Sequence, residues 1–472
     1  MEEFNNQNEI ENEIENISSP ILIEMDEELI SEFRELIKLK TPALVVNLLI
    51  DLYPADIAHL INHLHLNEAK YIFQLLEKDI ASEVITNINE SHRANLFSVL
   101  NKSQLSSIIT QLPSDDATDL VAEMPDEIAK EIIEQLDFPT QSDLKELLQY
   151  APNTAGGIME KEYIAVNLND TIHKAIQTVR KHSEYVDDVY NIFVVNDEGK
   201  IVGDLPIKNL LIHSSNKKMK SVMNQDVITA DVFLDQEEVA RLFKKYSLVV
   251  VPVVKEDGIL VGSISFDDLV YVIEEETSED VYKMAGSNVA EIETKSPFAV
   301  AKMRIPWLLI SMGFSLCSGF VISAFSETLS KLILLASFMP VISAISGNVG
   351  LQSAVIVVRG LSTGHVNSSE WKKEWWKEIR VVFLIALVCG IVIAIIGIIW
   401  SRNNLFGVVV GSSMFLSMSI AVTMGTLSPI LSQKFGIDPA VSAGPFTTTL
   451  QDIIGITTFL SISSLLLNQL GV

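Results

Sequence analysis

Five apolar stretches fill the carboxy-terminal third of this chain: Pro306–Phe325, Leu332–Val358, Val381–Trp400, Leu405–Leu431 and Ala440–Leu467. Each reaches the roughly 20 residues that an α-helix needs to cross a hydrocarbon layer. No water is present there to satisfy backbone polar groups, so such a segment must close its hydrogen bonds within itself. The pattern therefore predicts a bundle of five transmembrane helices over 305–472.

Charge separates this bundle from what precedes it. Of 34 basic and 61 acidic residues, 10 and 6 lie in Ala301–Val472, which leaves 24 and 55 in the first 300, a net of −31. An amino-terminal part so acidic argues against nucleic acid as a partner and suits a cation-binding surface. Cys317 and Cys389 are the only cysteines, both inside apolar stretches. No disulfide framework is available to the soluble part, which fits a reducing cytosol. Residues 1–20 have neither a basic n-region nor an apolar h-region, so the expectation is a disordered acidic tail and not a signal peptide. The loop carrying Arg359, Lys372, Lys373, Lys377 and Arg380 is expected in the cytoplasm, with Trp371, Trp375 and Trp376 at headgroup level. A cytoplasmic amino terminus, five spans and an outer carboxy terminus in the cell (inner or plasma) membrane are consistent with that loop.

Two internal repeats organise the soluble part. From Tyr53 the chain falls into blocks of twelve residues, YPADIAHLINHL through PDEIAKEIIEQL, each ending in Leu, Ile or Met. Helices of two turns cannot bury a core alone, so 21–150 is expected to be a superhelical array. Next, IFVVNDEGKIVGDLPIKNLL from Ile192 realigns with VPVVKEDGILVGSISFDDLV from Val251. Both read strand, turn at Gly199 or Gly258, strand, helix, and each follows a helical stretch. The pair resembles tandem CBS domains, small α/β modules, over 151–220 and 221–277. A connecting helix over 278–304 would lead into the membrane.

One residue of the bundle carries the first chemical hypothesis. Asp452 lies in the last apolar stretch, where a charge costs about 2.5–3.5 kcal/mol on insertion scales. No Lys or Arg follows Lys434. A mobile cation is the simplest counter-charge, and Thr448 shares the helix face of Asp452 one turn away. In the second stretch, Asn348 and Gln352 place amides at membrane depth beside Gly347 and Gly350, suited to a cavity lining or to bonds between helices. The chain has no G-x-x-x-x-G-K-[ST] loop and no H-E-x-x-H, and no motif supports an enzyme. Soluble carboxylates cluster as well: Glu276, Glu279 and Asp280 share a helix face that Asp268 precedes, Asp115 and Asp119 stand four apart, and Asp235 and Glu237 open a helix. A solvated acidic face is the ordinary fate of such runs.

Together these stretches resemble the MgtE family of magnesium channels or transporters. The motifs are TAGGIM (Thr154–Met159), the CBS pair, RIPWLL (Arg304–Leu309), GNVGLQSA with VVRGL (Gly347–Leu361) and FGIDPAVSAGPFTTTLQD (Phe435–Asp452). The resemblance implies a homodimer in the bilayer with a pore on the two-fold axis, a Mg2+ site at Asp452 and Asn348 with Thr448 and Gly347 beside them, and an acidic residue near the outer side at Glu327. It also implies regulatory Mg2+ held by Asp115, Asp119, Gly157, Asp235, Glu237, Asp268, Glu276, Glu279, Asp280 and Asp438, binding of which closes the pore. Ser247 and Tyr271 stand at two positions where the family carries acidic ligands. Members can bind ATP in the CBS pair, but here Asn209 replaces the usual Asp beside Lys208, while Ser265 and Asp268 are kept. The expectation is against ATP modulation. Transport of Co2+, Mn2+ or Zn2+, and a non-transporting Mg2+ sensor, are the alternatives.

Overall fold

A computed structural model of the protein describes residues 27–98, 100–182, 189–291 and 296–470. The expected acidic tail, 1–20, lies outside the described residues. Two compact units divide the chain: one runs up to Leu234 and includes Val250–Ile264, the other comprises Asp235–Val249 and everything from Ser265.

The first unit opens with α1 (Glu27–Lys38), α2 (Pro42–Ile50), α3 (Pro54–His63), α4 (Leu66–Leu75), α5 (Lys78–Thr86), α6 (Glu90–Phe97), α7 (Lys102–Ile109), α8 (Ser114–Ala122), α9 (Asp126–Ile133) and α10 (Phe138–Leu147). From Pro54 onward the helices start every twelve residues, the period of the sequence blocks. Local chemistry explains the starts. Asn101 accepts from Gln104 N at 2.9 Å and its own amide donates to Gln104 Oε1 at 3.1 Å, a reciprocal cap at α7. Leu60, Ile61, Ile72, Val84, Ile85 and Ile109 enter one continuous core that runs from Ile30 to Leu144. No two-turn helix could bury such a core, so stacking supplies the stability.

The CBS sheets follow. Strands β1 (Ala165–Asn167), β2 (Asn191–Val195) and β3 (Ile201–Pro206) form one sheet in that order, β1 parallel and β3 antiparallel to β2. Helices α11 (Ile172–His182) and α12 (Lys208–Ile212) belong to the same module. Strands β4 (Ala230–Asp231), β5 (Val250–Val254) and β6 (Leu260–Ser265) repeat the order. The repeat is also spatial. Gly199 and Gly258 take φ values of +79° and +80°, which only glycine adopts freely. Ile201 N donates to Gly258 O and Leu260 N to Gly199 O, both at 3.1 Å, so the two turns pair reciprocally.

The second unit holds α13 (Gln236–Tyr246), α14 (Phe266–Ala285), α15 (Pro297–Ala324), α16 (Ser326–Lys331), α17 (Leu334–Ser362), α18 (Trp371–Ser401), α19 (Asn404–Lys434), α20 (Pro439–Ser442) and α21 (Pro445–Leu470). Among the described residues, five helical segments are long and apolar enough to cross a membrane. Small residues let the central ones approach closely: a Cβ on Gly425 of α19 would lie 2.1 Å from Gly350 O of α17. Such backbone contact is how helices pack where the solvent is itself apolar.

The stretch 278–304 is not one connecting helix. The acidic helix α14 ends at Ala285, with Gly286 at φ +73° in the left-handed conformation that closes helices. A 3-10 turn follows at Val289–Glu291, and α15 begins at Pro297, before Arg304. Gly286 also meets a neighbour, since a Cβ there would lie 2.6 Å from Pro445 Cγ.

Candidate functional site

Asp452 faces α17 at a point where that helix carries a glycine. Its Oδ1 accepts from Ser343 Oγ at 2.6 Å. A Cβ on Gly347 would lie 3.6 Å from the same oxygen and 3.8 Å from Thr448 Cγ2. Ser343 and Gly347 are one turn apart on α17, as Thr448 and Asp452 are on α21, so two stepped pairs oppose each other. The Thr448 hydroxyl donates to Gly444 O at 3.2 Å, which leaves its oxygen lone pairs for an incoming donor or cation. The donors and acceptors here are oxygen groups, suited to hard cations. Asn348 is exposed on the surface of the single chain, and so is Gln352 one turn on.

A second group of carboxylates gathers where α13, α14 and the start of α20 meet within the same unit. Gln236 Nε2 donates to Glu276 Oε1 at 2.6 Å. Lys283 Nζ lies 2.6 Å from Glu279 Oε1 and 2.7 Å from Asp438 Oδ2. Ser362 Oγ, at the end of α17, donates to Asp280 Oδ2 at 3.0 Å. Arg241 pairs with Glu237 at 3.1 Å and donates to the carbonyls of Leu361 and Ser362 at 3.2 and 3.3 Å. A guanidinium at the carbonyl end of a helix also meets its negative dipole.

The proximity of these acids appears in their protonation. Burial pushes the Glu276 carboxyl above its usual range, and the negative charges of Glu279, Glu237 and Asp235 add to the rise. Asp280 is raised by burial too, with Asp438 contributing, although the Ser362 hydroxyl opposes it. Glu237 rises for the same first reason, against the pull of Arg241. Carboxylates held together against their own repulsion are a fitting oxygen donor set for a hard divalent cation. Asp235 caps α13 by accepting from Glu237 N at 2.9 Å, and Asp268 pairs with the Ser265 hydroxyl.

The membrane part matches a family model described as a divalent cation transporter over residues 339–462. The MgtE intracellular N domain matches 52–153, and the CBS domain matches 155–216 and 219–275. A magnesium transporter MgtE of Bacillus subtilis is 35% identical over 324 residues, 69% of this chain and 72% of that protein. The chain belongs to the MgtE family. A magnesium transporter MgtE of Thermus thermophilus is 32% identical over 335 residues, covering 70% of this chain and 74% of its own. Among solved structures, the cytosolic domain of the Mg2+ channel MgtE in complex with ATP aligns at a TM-score of 0.49 and 28% identity, over 52% of this chain and 99% of that one. The family model and these relatives are described as transporters, in keeping with the transport reading of the sequence.

The remaining residues expected from the MgtE resemblance are divided between the two units. Glu327 is on α16, exposed, with Lys331 at 3.9 Å. Asp115, Asp119 and Gly157 belong to the first unit. Asp115 is buried on the first turn of α8 and Asp119, one turn on, is exposed. Gly157 sits in a tight turn where a Cβ would lie 2.3 Å from Ala151 O.

Three polar residues escaped the sequence reading. Ser343 is the first. Lys283 is the second. The third is Glu378, 6% exposed on α18, whose Oε2 accepts from the buried Ser353 Oγ of α17 at 2.7 Å. Assignment of 359–380 to a loop hid it, but Glu378, Val382, Ala386 and Gly390 recur every four residues on the buried face of α18, a helical signal present in the sequence.

Proposed function

We propose that this chain conducts Mg2+ into the cell along a path between α17 and α21, with Asp452 as the carboxylate the ion meets. The observation that carries the reading is Asp452 itself: a carboxylate at membrane depth, supported by a neutral hydroxyl and set across from a glycine. Mg2+ dehydrates reluctantly and keeps several waters, so a short-side-chain site with a carboxylate and hydroxyl oxygens suits the hydrated ion. An all-oxygen set also disfavours metals that seek thiolate or imidazole. The membrane potential contributes about 2.3 kcal/mol per charge for each 100 mV, which makes entry of a dication downhill.

Two copies of the chain would complete the path. Asn348 and Gln352 expose amides on one face of α17 at membrane depth, where unpaired polar groups are costly. A second α17 would cover them. The amino-terminal part is cytosolic in this arrangement, the chain crosses five times, and the carboxy terminus lies outside. The domain divisions fall near 150, 220 and 277 in this reading, and the membrane part begins with α15 at Pro297.

Regulation follows from the second carboxylate group. Mg2+ held by Glu276, Glu279, Asp280 and Asp438 would tie α14 to the base of α21 and close the path, with Asp235, Glu237 and Asp268 contributing nearby. Asp115, Asp119 and the Gly157 carbonyl of the first unit offer further oxygen ligands for regulatory Mg2+. ATP is not assigned to the CBS pair, because Asn209 lacks the charge of the family's Asp.

The test is Mg2+ uptake into liposomes read by an internal dye under an imposed potential. Uptake that rises with an inside-negative potential and falls as Mg2+ is added at the cytosolic face is expected. Uptake that ignores the potential, or a protein that moves Co2+, Mn2+ or Zn2+ but not Mg2+, would contradict it.

A further inference from the structure

The ammonium of Lys283 bridges two carboxylates that belong to different elements. Glu279 is one turn back on α14, whereas Asp438 caps α20 at the foot of α21, accepting from Ala440 N at 2.8 Å. Packing sets where this ammonium stands. Gly286 abuts Pro445, and a Cβ on Gly444 would lie 3.1 Å from the Lys283 carbonyl and 3.3 Å from that of Met284. Met284 packs on the buried cluster of Ala354, Val358, Ala440 and Ala443. The end of α14 is thus seated, backbone to backbone, on the turn between α20 and α21. The Lys283 side chain is 30% exposed, against 42% for Glu279 and 35% for Asp438.

We propose that Lys283 is a tethered cation that occupies the place of the regulatory metal between Glu279 and Asp438 and sets how much Mg2+ is needed to displace it. The proposal rests on the reading that Mg2+ at this cluster closes the path. A lysine ammonium and a bound Mg2+ cannot both sit between the same two oxygens, because each draws them to within hydrogen-bond or coordination distance and the two cations repel. The consequence is a graded sensor. In the absence of metal the single positive charge offsets part of the repulsion among Glu276, Glu279, Asp280 and Asp438. In its presence the ammonium must leave, which raises the concentration required.

The sign of the effect separates this role from that of a strut. A strut that merely holds the closed contact would make Mg2+ less effective when removed. A tethered competitor makes Mg2+ more effective when removed, while the contact without metal weakens. The experiment is limited proteolysis of the purified full-length protein across a Mg2+ titration, for the parent, Lys283→Met, Lys283→Gln and Lys283→Arg. Lys283→Met and Lys283→Gln are expected to lose protection in metal-free buffer and to reach half-protection at about fivefold less Mg2+, the scale of one partly exposed ion pair. Lys283→Arg keeps the charge and is expected to stay near the parent in both respects. An unchanged or higher midpoint in Lys283→Met and Lys283→Gln, with a parent that responds to Mg2+, overturns the tethered-cation role and leaves Mg2+ closure standing. A parent with no Mg2+-dependent protection overturns both.

Discussion

Asp438 and Asp452 belong to one segment at the carboxy-terminal end of the chain, yet they keep opposite company. Asp438 touches an ammonium and a backbone amide, and its charge acts on Asp280. Asp452 touches a serine hydroxyl and faces a glycine. A carboxylate already holding a cation responds to a metal by exchange, so its occupancy follows cytosolic concentration. A carboxylate supported by neutral groups leaves its charge to the passing ion, so it attracts without reporting. In the proposed roles, sensing and conduction would be separated by what stands beside each oxygen rather than by the type of residue.

The strongest way to break this comparison is to spoil the packing beneath it. A side chain at Gly350 would run into Gln451, whose side-chain atoms lie 2.3–2.6 Å from where a Cβ would stand. Gly350→Leu is expected to cost more than about 3 kcal/mol, at the upper end of overpacking, and to abolish flux together with a cooperative melting transition in detergent. Next in size, Asp438→Asn is expected to raise the Mg2+ concentration for half-closure by about tenfold, the loss of one charged ligand, while maximal flux at low cytosolic Mg2+ is retained. Flux titrations against cytosolic Mg2+ would read both quantities.

Ser343→Ala sharpens the comparison from the other side. Loss of a hydrogen bond to a charged group is worth about 1.5–3 kcal/mol, part of which water or the ion recovers. A fall in conductance of roughly threefold to tenfold is expected, with the Mg2+ midpoint for closure unchanged. A shifted midpoint would show that the two carboxylates are not separable.

The smallest effect concerns the first unit. Burial alone would raise Glu146, but Lys161 and Lys255, at 2.8 and 3.0 Å, outweigh it and hold the carboxyl below its usual range. A lowered folded value means that its stabilisation is present above the unfolded value and is lost as pH falls through the folded one. Glu146→Gln is therefore expected to melt earlier than the parent at neutral pH, by up to about 1 kcal/mol in stability, and the two melting curves should converge in acid.

Much of this arrangement was legible in the chain, and the exceptions share a cause. The array of short helices was legible because its period is local: each block carries its own entry residue and its own buried Leu or Ile. The two turns at Gly199 and Gly258 were legible because left-handed φ values demand glycine. The break at Gly286 had a signal, a glycine after Lys283 and ahead of Pro297, that the apolar continuity of the later segment obscured. Ser343, Glu378 and Lys283 matter through partners on other helices, Asp452, Ser353 and Asp438. Register between helices is set by tertiary packing, and a single sequence records each helix but not which faces meet. Asn348 shows the same limit: it is exposed on the isolated chain, and nothing in its own helix says what would cover it.

The central claim is that Asp452 carries the ion. Dye-reported Mg2+ flux in liposomes, with Asp452→Ala measured beside the parent at matched incorporation and with Mg2+-dependent protease protection confirmed for both, tests it most directly. Flux is expected to fall by at least about a hundredfold, the scale of roughly 2.7 kcal/mol, while protection by Mg2+ persists. Flux in Asp452→Ala that equals the parent would contradict the account.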